Sequence, residues 1–147
     1  MSVLLLIHAF ATLFMTGLIW FVQVVHYPLF ASVGREQFPA YEDAHQRLTT
    51  WVVCPTMLVE LGSGIWLLKT GSPETIGLIW TGAALIIVIW LITAGLSVPA
   101  HRQLAQGYSD SAHRRLVLTN WIRTVAWSLR SALVLVIIHR LYLAEVF

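Results

Sequence analysis

The stretch IGLIWTGAALIIVIWLITAGLSV, residues 76–98, contains no charged side chain. Its 23 residues would reach about 35 Å as a helix with a rise of ~1.5 Å per residue, which exceeds the ~30 Å hydrocarbon core of a bilayer. Over the whole chain 58% of residues are hydrophobic and 11% are charged. A soluble domain of this size could not hide so much apolar surface from water. The sequence therefore predicts an integral membrane protein whose solvent is the lipid bilayer.

Three further apolar runs accompany this one, and prolines or polar stretches separate them. The four predicted helices cover about residues 3–25, 39–68, 76–98 and 111–139. Pro28 and Pro99 are expected to end the first and third helices, because the residue before a proline is pushed out of the helical region, and Pro55 is expected to kink the second. Short connections make neighbouring helices antiparallel, so residues 1–147 are predicted to form one all-α domain, an up-down-up-down four-helix bundle. The first run lacks the basic start of a signal peptide and is expected to be retained.

The basic residues outside the predicted membrane interior fall mainly on one side of the bundle. Arg35, Arg47, Arg102, Arg114 and Arg115 lie on the side of the two longer connections, and Lys69 and Arg140 lie on the other. The positive-inside rule then predicts that both termini lie outside the cytoplasm. The expected location, a bacterial inner membrane, is what the resemblance described below implies. The charged residues are scattered along the chain and the net charge is +2. They do not form the basic stripe of a nucleic-acid-binding protein, so no nucleic-acid partner is expected. The lone cysteine, Cys54, excludes an internal disulfide and is interpreted as a small apolar helix residue.

Polar side chains recur at helical spacing along each span, which predicts four polar stripes facing the bundle axis. The richest stripe, on the last helix, contains His113, Asn120, Arg123, Trp127 and Arg130. Glu60 of the second helix lies at a depth that Arg123 and Arg130 bracket, which predicts an ion pair with one of them. Such a pair can simply hold two helices together. The other arginine would then meet an anionic or carbonyl-bearing ligand, a lipid phosphate, or the backbone carbonyl that Pro55 frees.

Four histidines are predicted at the cytoplasmic end, each on a different helix: His26, His45, His101 and His113. Neutral imidazole is the commonest metal ligand. Glu42 precedes one of these histidines by three residues and Asp110 precedes another, as in the Glu-x-x-His elements of di-iron bundles. The six side chains therefore predict a transition-metal site for iron, copper or zinc. Ordinary interfacial histidines, hydrogen-bonded to backbone or headgroups, are the alternative interpretation.

Convergence of these histidines requires the segment 27–38 to fold back over the bundle. We expect it to cap the site with Phe30 and Phe38 turned inward. Haem or a quinone is left open as a further cofactor. Trp127 is the one tryptophan predicted on a polar stripe, where its ring could stack on a flat ligand or a guanidinium group.

A set of residues spread over nearly the whole chain resembles small bacterial four-helix membrane proteins and, distantly, the anthrone oxygenase-like family. The set comprises WFVQVVHYPLF at 20–30, Tyr41, His45, Pro55, Glu60, NWIRT at 120–124, Trp127 and Arg130. The resemblance implies oxidation of a flat phenolic or quinone-like substrate by dioxygen.

The leading functional hypothesis is a membrane oxidoreductase or cofactor-binding protein that acts on a lipophilic aromatic or quinone-like molecule entering between helices. Its predicted catalytic residues are His26, His45 and Glu60. Its predicted substrate-binding residues are Asn120, Arg123, Trp127 and Arg130. The alternative from another class is a non-enzymatic protein, either a small transporter with a proton relay between Glu60 and an arginine or an assembly factor of a membrane complex. A homo-oligomer or a partner in such a complex is left open.

Overall fold

The computed structural model describes residues 3–146, apart from the side chain of residue 145. Within this range it contains four helices that are long and apolar enough to cross a membrane. They are α1 (Val3–Ser32), α2 (Phe38–Thr70), α3 (Ile76–Ala105) and α4 (Asp110–Val146). The predicted all-α, four-helix membrane fold is confirmed.

The expected ends of α1 and α3 near Val25 and Val98 are wrong, because both helices continue past their prolines. In each one a π-helical turn, Val22–His26 or Thr93–Ser97, lies just before the proline. The next residue donates its backbone N–H to a carbonyl five positions back, and the proline follows as the second residue of a new α-helical segment. Proline is tolerated in a first helical turn, where its missing N–H breaks no bond.

Of the two remaining helices, one keeps its predicted bounds and the other is longer than predicted. α2 matches its predicted bounds closely and runs through Pro55 without a break. α4 continues to Val146, well past the expected end at His139. Neither glycine nor proline occurs after Gly107, so nothing in the backbone stops the helix there.

The interior divides into three apolar clusters along the bundle. Tyr27, Phe30, Phe38, Leu104 and Leu116 pack together at the histidine end. Met15, Ile19, Met57, Ile89 and Trp127 form a second cluster, and Leu5, Leu67, Ile79, Val134 and Ile137 form a third. Late α1 meets early α2 through His26 and His45, whereas early α1 meets late α2 through His8 and Ser63. These are the contacts expected of antiparallel neighbours.

Candidate functional site

Glu42, His45 and His101 form a group that could hold a metal ion, because one ligand atom from each lies within 4.8 Å of the others. Glu42 and His45 are three residues apart, so they share one face of α2. His101 reaches them because α3 continues past Pro99. Glutamate and histidine donors from two different helices thus meet at one point.

The carboxylate of Glu42 is completely buried, and its two oxygens differ in their partners. Oε1 lies 2.6 Å from Nδ1 of His101 and accepts a hydrogen bond from Nε2 of Gln46 at 3.2 Å. Oε2 is buried without a hydrogen-bond partner. A buried polar atom without a partner is costly. A cation at this group would satisfy it, so the donor set fits a metal.

Two imidazoles face each other beside this carboxylate. Nε2 of His26 lies 2.9 Å from Nδ1 of His45, and the Thr49 hydroxyl lies 3.1 Å from the same Nδ1. Two imidazole nitrogens at this separation can share a proton or bind one cation jointly. Three of the four predicted histidines and Glu42 are therefore brought together.

Of the predicted ligands, His26 contacts His45 but is not part of the metal-capable group. His113 and Asp110 lie apart from both. His113 donates through Nε2 to the Tyr27 carbonyl at 2.7 Å, and its Nδ1 lies 3.1 Å from the Tyr108 hydroxyl. Partial burial and the nearby Asp110 carboxylate raise the pKa of Tyr108, so its phenol stays protonated and donates to His113. Asp110 itself is exposed and pairs with Arg35 at 3.2 Å. His113 thus positions the α1 backbone.

An aromatic cap covers the imidazoles. Phe30 and Phe38 are both completely buried, which confirms that the segment 27–38 turns these rings inward. The Phe30 ring centroid lies 5.2 Å from those of His26 and His45, with near-perpendicular planes. The rings reduce the space that water could occupy around the imidazoles, which strengthens electrostatic interactions there.

A cavity of about 250 Å³ lies beside the metal-capable group. Its polar lining includes Tyr27, His45, His101 and Arg123, and its apolar lining includes Val53, Met57 and Trp90. An apolar cavity of ~150 Å³ accommodates benzene, so this one has room for a larger aromatic ring system. A second, more apolar cavity of about 510 Å³ lies between α1 and α2 and shares His45 and Thr49 with the first.

Tyr27 is a residue of this site that the sequence analysis missed. Its hydroxyl lies 2.9 Å from Nε2 of His101, whose Nδ1 bonds to Glu42. A neutral imidazole has one donor and one acceptor nitrogen, so His101 donates to Glu42 and accepts from Tyr27. The available signal was the position of Tyr27 between His26 and Pro28, which the expected helix end at that proline obscured.

The predicted intramembrane ion pair forms between Glu60 and Arg130, and both side chains are buried. Arg130 also donates to the Gly82 carbonyl and lies 3.2 Å from Nε2 of His8. His8, which the sequence analysis left without a role, bonds to the Ser63 hydroxyl through Nδ1 at 2.8 Å. The pair does not line the 250 Å³ cavity. This arrangement favours the interpretation in which Glu60 and Arg130 hold helices together.

Of the predicted substrate-binding residues, only Arg123 lines the 250 Å³ cavity. Its NH1 lies 3.2 Å from the Asn120 side-chain oxygen and 3.4 Å from the Ser97 hydroxyl. Asn120 donates in turn to the Gln23 side-chain oxygen at 2.8 Å, and this bond fixes the amide that accepts from Arg123. Trp127 is completely buried in the apolar core, with the Arg130 guanidinium 5.8 Å from its ring centroid.

No family model, curated protein or solved structure matches this chain. The chemistry of the site therefore rests on its own geometry. Two imidazoles, a phenol and a buried arginine line one cavity, and a third imidazole and a buried carboxylate are hydrogen-bonded to those imidazoles.

Proposed function

We propose that this chain is a membrane oxidoreductase that acts on a lipophilic aromatic or quinone-like molecule, assisted by a transition metal at Glu42, His45 and His101. One observation carries the proposal. His45 and His101 belong both to the metal-capable group and to the lining of the 250 Å³ cavity. A ligand in that cavity would lie directly against the metal.

The donor set favours iron among the metals considered. Two histidines and one carboxylate are the ligands of non-haem iron oxygenases, which keep open coordination positions. When bound, such a metal supplies one-electron and dioxygen chemistry. The likeness to the anthrone oxygenase-like family supports the same class of reaction.

The protein's own residues would prepare the site for this chemistry. With a metal on Nδ1 of His101, the Nε2–H of that imidazole would donate to the Tyr27 hydroxyl, and this bond would fix the orientation of the ring. The Phe30 ring packs edge-on against His26 and His45, and Phe38 packs against Phe30. The apolar lining formed by residues such as Met57 and Trp90 suits a ligand that arrives from the bilayer.

A proton relay is the second candidate function, and one observation favours it. Tyr27, His101 and Glu42 form a continuous hydrogen-bonded chain that reaches from the cavity to a buried carboxylate. Such a chain can move protons without a metal. The two functions exclude each other at these atoms, since a metal would replace the proton that His101 and Glu42 share.

Elemental analysis of protein purified from metal-replete cells tests the proposal. Wild-type protein should contain metal close to one ion per chain, and Glu42→Gln and His101→Gln should each lower its metal affinity at least tenfold. His139→Gln is the matched control, because His139 is an exposed histidine outside the site. Metal-free wild-type protein would refute the metal centre and leave the proton relay as the better account.

Turnover tests the second half of the proposal. Metal-loaded protein in lipid nanodiscs should oxidise a lipophilic hydroquinone by dioxygen, which the ultraviolet spectrum follows, and removal of the metal should abolish the reaction. A metal-loaded protein that leaves a panel of hydroquinones and polycyclic phenols unchanged would contradict the oxidoreductase function.

A further inference from the structure

We infer that the 250 Å³ cavity selects lipophilic aromatic ligands that carry an anionic oxygen, and that Arg123 receives this oxygen. The inference rests on the proposed function for the site and narrows its substrate class to acidic compounds, such as ionised hydroxyquinones or aromatic carboxylates.

Arg123 is a charged residue buried inside the membrane-spanning bundle. Its side chain is only 6% exposed and points into a membrane-spanning bundle. Its hydrogen-bond partners are the side chains of Asn120, Ser97 and Tyr27, and none of these is an anion. Its Nε is buried without a hydrogen-bond partner, and none of the carboxylates whose side chains the structure describes forms an ion pair with it. Charged groups inside a membrane normally pair, so Arg123 lacks the anion that its position demands.

Arg130 provides the internal comparison. It lies two turns further along the same helix, is equally buried and has Glu60 as its carboxylate partner. The bundle therefore does supply a counter-charge where an arginine serves only structure. No side chain in the described part of the chain supplies a comparable negative charge at Arg123, which is the arginine that lines the cavity.

Glu42, the carboxylate nearest in the hydrogen-bonded network, does not take this role. Its Oε1 is occupied by His101 and Gln46, and its Oε2 has no hydrogen-bond partner, so neither oxygen bonds to Arg123. The Tyr27 phenol interacts electrostatically with both Glu42 and Arg123, and it hydrogen-bonds to Arg123. A metal at Glu42 would add positive charge near the cavity and strengthen the need for an anion.

The rest of the lining defines the body of the ligand. Val53, Met57 and Trp90 offer apolar and aromatic surface suited to a flat ring system. Arg123 lies on the same lining, and a guanidinium binds a charged oxygen through charge-assisted hydrogen bonds. A fused aromatic ring with one ionised oxygen matches both features.

Two probes of nearly equal shape separate the charge from the ring. 2-Hydroxy-1,4-naphthoquinone is ionised at neutral pH, whereas 1,4-naphthoquinone is neutral. Binding to chelator-treated wild-type protein is measured by quenching of tryptophan fluorescence, for which Trp90 lines the cavity, and by calorimetry. We expect the ionised probe to bind at least tenfold tighter than the neutral one.

Three variants locate the source of this preference. Arg123→Gln should reduce the affinity for the ionised probe at least tenfold and leave the neutral probe within about twofold. Arg123→Lys should retain part of the preference. Arg115→Gln is the matched control, because Arg115 is an exposed arginine on the same helix, and it should bind both probes as the wild type does.

Equal affinities of wild-type protein for the two probes, or binding of neither, would overturn the inference, and so would a preference that survives Arg123→Gln. The comparison of the two probes on wild-type protein tests the inference even if an Arg123 variant fails to fold. All measurements use metal-free protein without turnover. A negative result in these binding experiments therefore does not contradict the metal centre, and an absence of metal or turnover does not contradict the selectivity for anionic ligands.

Discussion

Neutralising the buried pair Glu60–Arg130 should reveal a strong coupling between the two side chains. Both are at most 3% exposed, so solvent does not screen their interaction. Removal of one partner from a buried ion pair leaves an uncompensated charge and costs about 3–5 kcal/mol. Glu60→Gln and Arg130→Gln should each destabilise the bundle by this amount, the arginine variant more because it also loses the Gly82 carbonyl and His8.

The double variant should be less destabilised than the sum of the two single variants, by about 2–3 kcal/mol, because it leaves no buried charge without a partner. Free energies of unfolding from steric trapping in detergent micelles or bicelles measure this coupling. Arg123→Gln provides the control: Arg123 is buried on the same helix but forms no ion pair with Glu60. Its effect should add to that of Glu60→Gln within about 0.5 kcal/mol. Additive losses for Glu60 and Arg130, or coupling that moves to Arg123, would refute the assigned pair.

Three further predictions test packing and topology. Gly64→Ala should have a free energy of unfolding about 1 kcal/mol below that of Gly62→Ala, because its Cβ would lie 3.0 Å from Ile86 and 3.3 Å from His8, whose ring is held by Ser63 and Arg130, whereas no atom lies within 4 Å of a Cβ added at Gly62. Phe30→Ala removes a completely buried ring, so it should cost about 3–5 kcal/mol in the same assay, and full thermal stability of this variant would contradict the role of the cap. Both chain ends should lie outside the cytoplasm, so alkaline phosphatase fused after residue 147 should be active in bacterial cells, and a fusion that works only with a cytoplasmic reporter would reverse the topology.

The sequence by itself determined the number of helices and their membrane environment, because length and apolarity are local properties of each segment. Residues 76–98 suffice to predict one span, and the same argument predicts the other three. Depth along a helix also follows from the sequence through the constant helical rise. For this reason an ion pair between Glu60 and an arginine of the last helix could be predicted.

Only the tertiary structure decided which side chains meet, because that depends on how each helix is rotated and on where its hydrogen bonding departs from the α pattern. With the π-turns before Pro28 and Pro99, α1 and α3 continue past the prolines, so His101 meets Glu42 and Tyr27 meets His101. Rotation of α4 turns Arg130 toward Glu60 and leaves Arg123 at the cavity. Rotation is set by the packing of side chains from all four helices at once, and no single segment of the sequence contains that information.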